Sequence, residues 1–289
     1  MANITKRSFG TSSKDQPITE YSLENTKGIR ISVINYGGII TKIEVPDKKG
    51  QLADVTLGYD TLEAYEKDSA YFGALVGRFG NRIANGQFSL NGKTYQLPIN
   101  NGEHHLHGGP NGFHRQYWVI DADESTNSLH LSYESKADEE GYPGNLTVNV
   151  TYQLTEHNEF IIQYRGSTDK PTIFNPTQHA YFNLSGDMSQ SVLDHALSIE
   201  AEQVVEINDQ FIPTGELVSV QGGPLDFKTV KTIATNIHAP RLKNSLGYDH
   251  CYVFNHNGNL KKVATVVEPT SGRTMHVLNT SPGMQFYSG

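Results

Sequence analysis

The chain has 289 residues, 36% hydrophobic and 19% charged, with 27 glycines, 15 tyrosines and a formal net charge of -8. That is the composition of a folded globular protein rich in turns; it excludes a fibre and a disordered chain, and no run of Lys or Arg is long enough to track a phosphate backbone, so nucleic acid is not an expected partner. A single cysteine, Cys251, excludes an internal disulfide and a multi-thiolate zinc site, and no stretch approaches the roughly 18 apolar residues of a membrane span. With no apolar core in its opening "MANITKRSFGTSSKDQ", the chain reads as cytoplasmic, with no membrane partner.

Strand patterning recurs from end to end. Residues 28–46, "GIRISVINYGGIITKIEVP", mix β-branched and aromatic residues in period-2 alternation between turn signals. A short helix is expected within 61–75. Residues 87–97, "QFSLNGKTYQL", read as a hairpin, because Asn91-Gly92 suits a type I′ turn that needs positive φ at both central positions. Further strands are expected at 127–135, 145–167 and 261–269, with a second short helix in 231–242. Many short strands and few short helices predict an all-β chain, one large antiparallel β-sandwich spanning residues 1–289 as a single domain.

Four stretches place ionisable groups among glycines or at strand ends, where backbone can open onto a ligand. They are "GRFGNRIANG" (77–86), "NNGEHHLHGGP" (100–110), "NPTQHAYFNLSG" (175–186) and "GYDHCYVF" (247–254). In an extended segment His105 and His107 share a face and His104 points away. A metal reading in the manner of cupin isomerases therefore draws two ligands at best from this cluster, with no carboxylate following in "GGPNGF". The plain alternative is a set of solvated loop histidines. His107, followed by two glycines that leave an approach open, could instead exchange a proton with a substrate oxygen, as could His179, which shares a strand face with Tyr181. Arg78 and Arg82 lie on one face and read as a surface pair, with Arg82 the better placed to enter a pocket and grip hydroxyls. Asp249 is either a turn acceptor or a ligand-facing carboxylate.

"GRFGNRIANGQFSLNGKTYQL", "LHGG", "NPTQHAYFNLSG" and "GYDH", in this order and at these separations, resemble the aldose 1-epimerases, or galactose mutarotases, from about residue 15 to the end. The resemblance implies a galactose mutarotase-like β-sandwich that interconverts the α and β anomers of a free aldose such as galactose or glucose, with no cofactor and no metal. It implies that His179 is the general acid at the ring oxygen, that His107 stabilises charge beside it, that Arg82 and Asn81 bind hydroxyls, and that Asp249 fixes the sugar's orientation. His104 and His105 become bystanders. The family's general base is a glutamate in a Gly-Phe-x-Leu-Glu segment near the C-terminus. No such segment occurs in these residues, which suggests a truncated chain; Glu268, ahead of Pro269, lacks that context. Two further readings follow, a catalytically impaired sugar-binding homologue and a hexose-6-phosphate 1-epimerase in which Arg78 and Arg82 meet a phosphate.

Overall fold

The computed structural model describes residues 3–255 and 257–289; Met1 and Ala2 of the opening segment lie outside them. The chain divides into two compact units, Met1–Pro46 with Leu52–Phe182, and Asp47–Gln51 with Asn183–Gly289. Strands dominate each unit, and among the described residues the named strands pair antiparallel, as the alternating patterns require. The helical part among the described residues is one α-helix, Leu62–Lys67, and short 3-10 turns.

In the first unit the opening strands form a five-stranded meander in chain order: Asn3–Thr11, Pro17–Glu24, Arg30–Ile34, Ile40–Pro46 and Leu52–Asp54. The run expected over 28–46 is thus two strands joined by a turn. Asn3–Thr11 escaped the sequence reading because it is an edge strand: its side chains are mostly exposed, and its polar sequence carries little alternation. A second sheet holds Val119–Asp123, Ser128–Ser135, Leu146–Leu154 and Phe160–Thr168. Along its third strand Leu146, Val148, Val150, Tyr152 and Leu154 are all buried while their neighbours are not, the period of two expected of a half-buried strand. The expected hairpin is present, with Gln87–Leu90 paired to Lys93–Gln96 and φ of 51° and 77° at Asn91 and Gly92.

The helix is shorter than its predicted window, and the reason lies in Asp68. Thr61 caps its start, the hydroxyl accepting from the Ala64 amide, and Leu62 and Tyr65 bury into a cluster with Ile18, Ile34, Tyr36, Ile39 and Ala74. Asp68 then takes the amides of Ala70 (2.8 Å) and Phe72 (3.0 Å) on its two carboxylate oxygens, offering the backbone an alternative to further helix. The chain turns there and delivers Tyr71 to the site described below.

The second unit has two four-stranded sheets. One runs Lys231–Thr232, Ala196–Ile199, Lys261–Val267, Thr274–Asn279; the other runs Pro213–Ser219, Gln203–Ile207, Asp249–Val253, Gly283–Tyr287. Its core gathers Val204, Leu225, Phe227, Leu242, Tyr248 and Tyr252. The helix expected within 231–242 is only two 3-10 turns, Ile233–Asn236 and Pro240–Leu242, since Pro240 cannot donate within a helix.

Arg78 corrects one expectation. It is no surface residue but 2% exposed, and its guanidinium donates to the carbonyls of Ser135, Lys136, Pro143 and Gly144 and to the hydroxyls of Ser135 and Thr172, at 2.8–3.3 Å. Only a planar five-donor fork serves so many acceptors at once. Arg78→Met, which leaves those carbonyls buried and unpaired, should cost about 3 kcal/mol or more, and Arg78→Lys should recover only part of it; urea denaturation measures both.

Candidate active site

The site is built in the first unit around a two-stranded ladder in which Arg82–Ile83 pairs with His105–Leu106. At His107 the chain leaves the ladder, taking φ of 53°. Its amide donates to the Asn81 carbonyl (3.2 Å), and the Asn81 amide donates to His107 Nδ1 (3.0 Å), so one residue clamps both backbone and ring. Gly108 makes the turn possible: a β-carbon there would lie 1.7 Å from the Gly77 carbonyl oxygen, and φ is 84°.

This departure from extended backbone separates residues that the sequence reading put on one face. His105 is fully buried; its Nδ1 bonds the Pro98 carbonyl and its Nε2 the Tyr142 hydroxyl, each at 2.7 Å. A carbonyl can only accept, so Nδ1 carries the proton and Nε2 accepts from the tyrosine. His104 is also buried, its Nδ1 accepting from the Asn85 amide at 3.1 Å. Neither is a solvated loop histidine; both hold the loop together. With both nitrogens of His105 engaged, His105 and His107 do not converge as a ligand pair.

His107 instead meets His179. Their ring centroids lie 5.0 Å apart at 83°, edge to face. The His179 amide donates to Ala74 O (2.9 Å) and its carbonyl accepts from the Gly73 amide (3.1 Å). Gly73 is required there, because a β-carbon would sit 2.1 Å from the Ile40 carbonyl oxygen. Tyr181 lies beside His179, at 5.2 Å between centroids, though not on a shared strand face, since the strand Thr177–Gln178 ends before both; its hydroxyl donates to the Ala70 carbonyl.

Two further rings complete the cluster, and neither was read from the sequence. Tyr71, at φ of 61°, puts its ring 4.8 Å from His107, 4.7 Å from His114 and 5.7 Å from His179. His114 lies on the 3-10 turn Phe113–Arg115. The signal for His114 was present, a further histidine just past the glycine-rich run, but a single residue has no period. Tyr71 had none, since its position depends on the turn that Asp68 imposes.

Burial and the repulsion of neighbouring groups keep His107 and His114 neutral. His107 is held well below 6.5 by desolvation and by the nearby His179, Arg82, His114 and His105. His114 is lowered to about 3 by burial, with Arg115 and His179 adding to it. Burial also lowers His105, against the Pro98 hydrogen bond. Because Nδ1 of His107 accepts an amide, the neutral ring carries its proton on Nε2, as a hydrogen-bond donor.

Arg82 is half-buried beside this cluster, its Nε donating to Asn101 Oδ1 at 3.0 Å. Asn81, expected to bind hydroxyls, also has a structural duty: besides clamping His107 it accepts the Arg82 amide on Oδ1 (2.8 Å). Asp249 begins the strand Asp249–Val253 of the second unit, half-buried, and accepts from Gln285 Nε2 at 2.6 Å. Glu268, also in that unit, is 5% exposed; desolvation would raise it, but hydrogen bonds from Ser271 and Thr270 hold it down to about 2, which makes it a poor base.

Comparison with known proteins shows the family. The family model for aldose 1-epimerase matches residues 19–289. A galactose mutarotase from Bos taurus is 39% identical over 293 residues, covering 100% of this chain and 83% of that protein. An aldose 1-epimerase from Escherichia coli (strain K12) is 35% identical over 276 residues, covering 95% of this chain and 79% of that protein. Among solved structures, an aldose epimerase homologue from C. elegans superposes with a TM-score of 0.82 at 30% identity, covering 99% of this chain and 82% of the other. Galactose 1-epimerase from Lactobacillus acidophilus gives 0.81 at 26%, covering 93% and 78%. The chain belongs to the aldose 1-epimerase family.

The lowered histidines set a pH dependence of stability. Unfolded, each binds a proton near 6.5; folded, His107 and His114 do not until far lower pH, so the unfolded state gains protons first as pH falls. Stability is therefore full above about pH 7 and lost below it, by up to about 1.4 kcal/mol per pH unit for each such group. Thermal unfolding from pH 7.5 to 5 should show a falling Tm, and His114→Phe should flatten the slope.

Proposed function

We propose that the protein interconverts the α and β anomers of free aldohexoses, galactose and glucose among them, by acid–base opening and reclosure of the pyranose ring. Membership of the aldose 1-epimerase family carries this reading, and the facing pair His107 and His179 supplies groups suited to the chemistry. His179 gives a proton to the ring oxygen as the anomeric hydroxyl loses one to a base; the bond from C1 to the ring oxygen breaks and an open-chain aldehyde forms. Rotation about C1–C2 presents the other face, and the reverse transfers close the ring. His107, donating through Nε2–H, stabilises the charge that develops on oxygen without changing its own protonation state. Arg82 and Asn81 bind hydroxyls, and Asp249, by the family's motif, fixes the sugar's orientation. No cofactor or metal enters these steps.

We read the two units as one functional domain of sandwich type, working in the cytoplasm; the single cysteine suits a reducing compartment. The hexose-6-phosphate alternative loses its main argument, since Arg78 is buried against carbonyls and offers no charge to a phosphate.

Polarimetry of fresh α-D-galactose, with calorimetry of sugar binding, tests the reading. His179→Ala should lower mutarotation far more than affinity, since an acid acts mainly in the transition state; equal losses in both would remove it from that role. Arg82→Ala and Asp249→Ala should each weaken binding, and unchanged affinity in both would misplace the sugar. The 289 residues contain no Gly-Phe-x-Leu-Glu segment, and one positioned base contributes about 10²–10⁴-fold. This chain assayed as it stands should therefore turn over at least about a hundredfold more slowly than a relative that has the glutamate. Equal rates would mean that another group serves as base.

A further inference from the structure

The Tyr71 ring lies against His107, His114 and His179 together, at 4.8, 4.7 and 5.7 Å between centroids. Those rings come from two separate parts of the chain, 107–114 and 179, and the turn that carries Tyr71 to them is held from several sides. Asp68 takes the amides of Ala70 and Phe72, and Arg115 donates to the carbonyls of Glu66 and Asp68. The Tyr71 carbonyl accepts from the Ala74 amide (3.1 Å), and the Tyr181 hydroxyl donates to the Ala70 carbonyl (3.1 Å). The amide of Gly73 then bonds the carbonyl of His179 itself (3.1 Å). A non-glycine residue at φ of 61° is a strained position that persists only when its surroundings over-determine it.

His114 forms the back wall. It is 8% exposed, and its Nδ1 is buried without a hydrogen-bond partner among the described residues. A buried polar atom left unpaired is destabilising, so the ring is not there for a bond at that nitrogen. Its contact is the edge-to-face one with Tyr71, at 63°.

We propose that Tyr71 is a positioning residue for ring opening: its ring, backed by His114, fixes the mutual angle of His107 and His179 and keeps water from His107. This rests on the anomer-interconversion reading of the same site. The groups facing His107 are Tyr71, His179, His114, Arg82 and His105. The polar ones stay when Tyr71 is shortened, so what changes is hydration and freedom of the ring. Tyr71 leaves the sugar's hydroxyls to Arg82 and Asn81, and its loss acts on the chemical step rather than on affinity.

The test uses the full chain with Tyr71→Phe and Tyr71→Leu, reading mutarotation of α-D-galactose by polarimetry and the titration of the His107 ring protons by NMR. Tyr71→Phe, which keeps the ring, should hold kcat within about twofold of the unsubstituted chain. Tyr71→Leu should lower kcat at least about tenfold with KM within about twofold, because misplacing a catalytic group by an ångström costs as much as about a hundredfold. In the same variant the His107 midpoint should move up toward the ordinary histidine value as water enters. Unchanged kcat and an unchanged midpoint in Tyr71→Leu would overturn the proposal, and so would a loss carried by KM alone. Should Tyr71→Leu not fold, His114→Ala removes the backing ring and is read the same way: a smaller shift in the same direction supports the proposal, and none overturns it. If the unsubstituted chain turns over no aldose, the functional reading fails by itself, while the NMR titration still decides whether Tyr71 governs His107.

Discussion

The hydrogen bond from the Asn81 amide to Nδ1 of His107 is the constraint on which the site depends. A backbone N–H can only donate, so the ring must be unprotonated at Nδ1; a proton there would set two donors against each other. The bond thereby chooses the tautomer, and burial beside His179, Arg82 and His114 chooses the charge. What remains is a neutral ring with one N–H to offer, suited to holding a developing negative charge and unsuited to surrendering its proton near neutral pH.

That bond exists because of a sequence of local constraints. The short ladder of Arg82–Ile83 with His105–Leu106 sets Asn81 opposite His107, and Gly108, pressed against the Gly77 carbonyl, lets the chain turn out of the ladder at once. On the other side Gly73, pressed against the Ile40 carbonyl, brings the Tyr71 turn against the backbone of His179. Arg78 fastens the same region from beneath by gathering carbonyls from 135–144. These glycines and this arginine are buried. Their place in the motifs follows from the close approach of backbones that the two imidazoles need.

Much of this was legible in the residues. The all-β class follows from alternation and turn signals, the Asn91-Gly92 hairpin forms as its turn chemistry requires, and His107, His179, Arg82 and Asn81 come from motifs that lie within the residues the aldose 1-epimerase family model matches. What was not legible depends on single backbone departures. Period two put His105 beside His107, but the left-handed φ at His107 breaks the period after Leu106 and sends the rings to different partners. Arg78 looked like a surface cation because its acceptors are main-chain carbonyls more than fifty residues away, which no sequence pattern encodes. Tyr71 was invisible for the same reason, and His114 showed only as a lone histidine past the glycine-rich run: their importance lies in contacts across the fold. Polar edge strands such as Asn3–Thr11 bury too little to show alternation.

The central claim, that His107 works as a neutral Nε2–H donor fixed by Asn81, is tested most directly by long-range proton–nitrogen NMR of the ¹⁵N-labelled chain. The account predicts that His107 shows a protonated Nε2 and an unprotonated Nδ1 at about pH 7, and that it remains neutral on lowering the pH to about 5. A proton on Nδ1, or an imidazolium already formed at about pH 6, would contradict it.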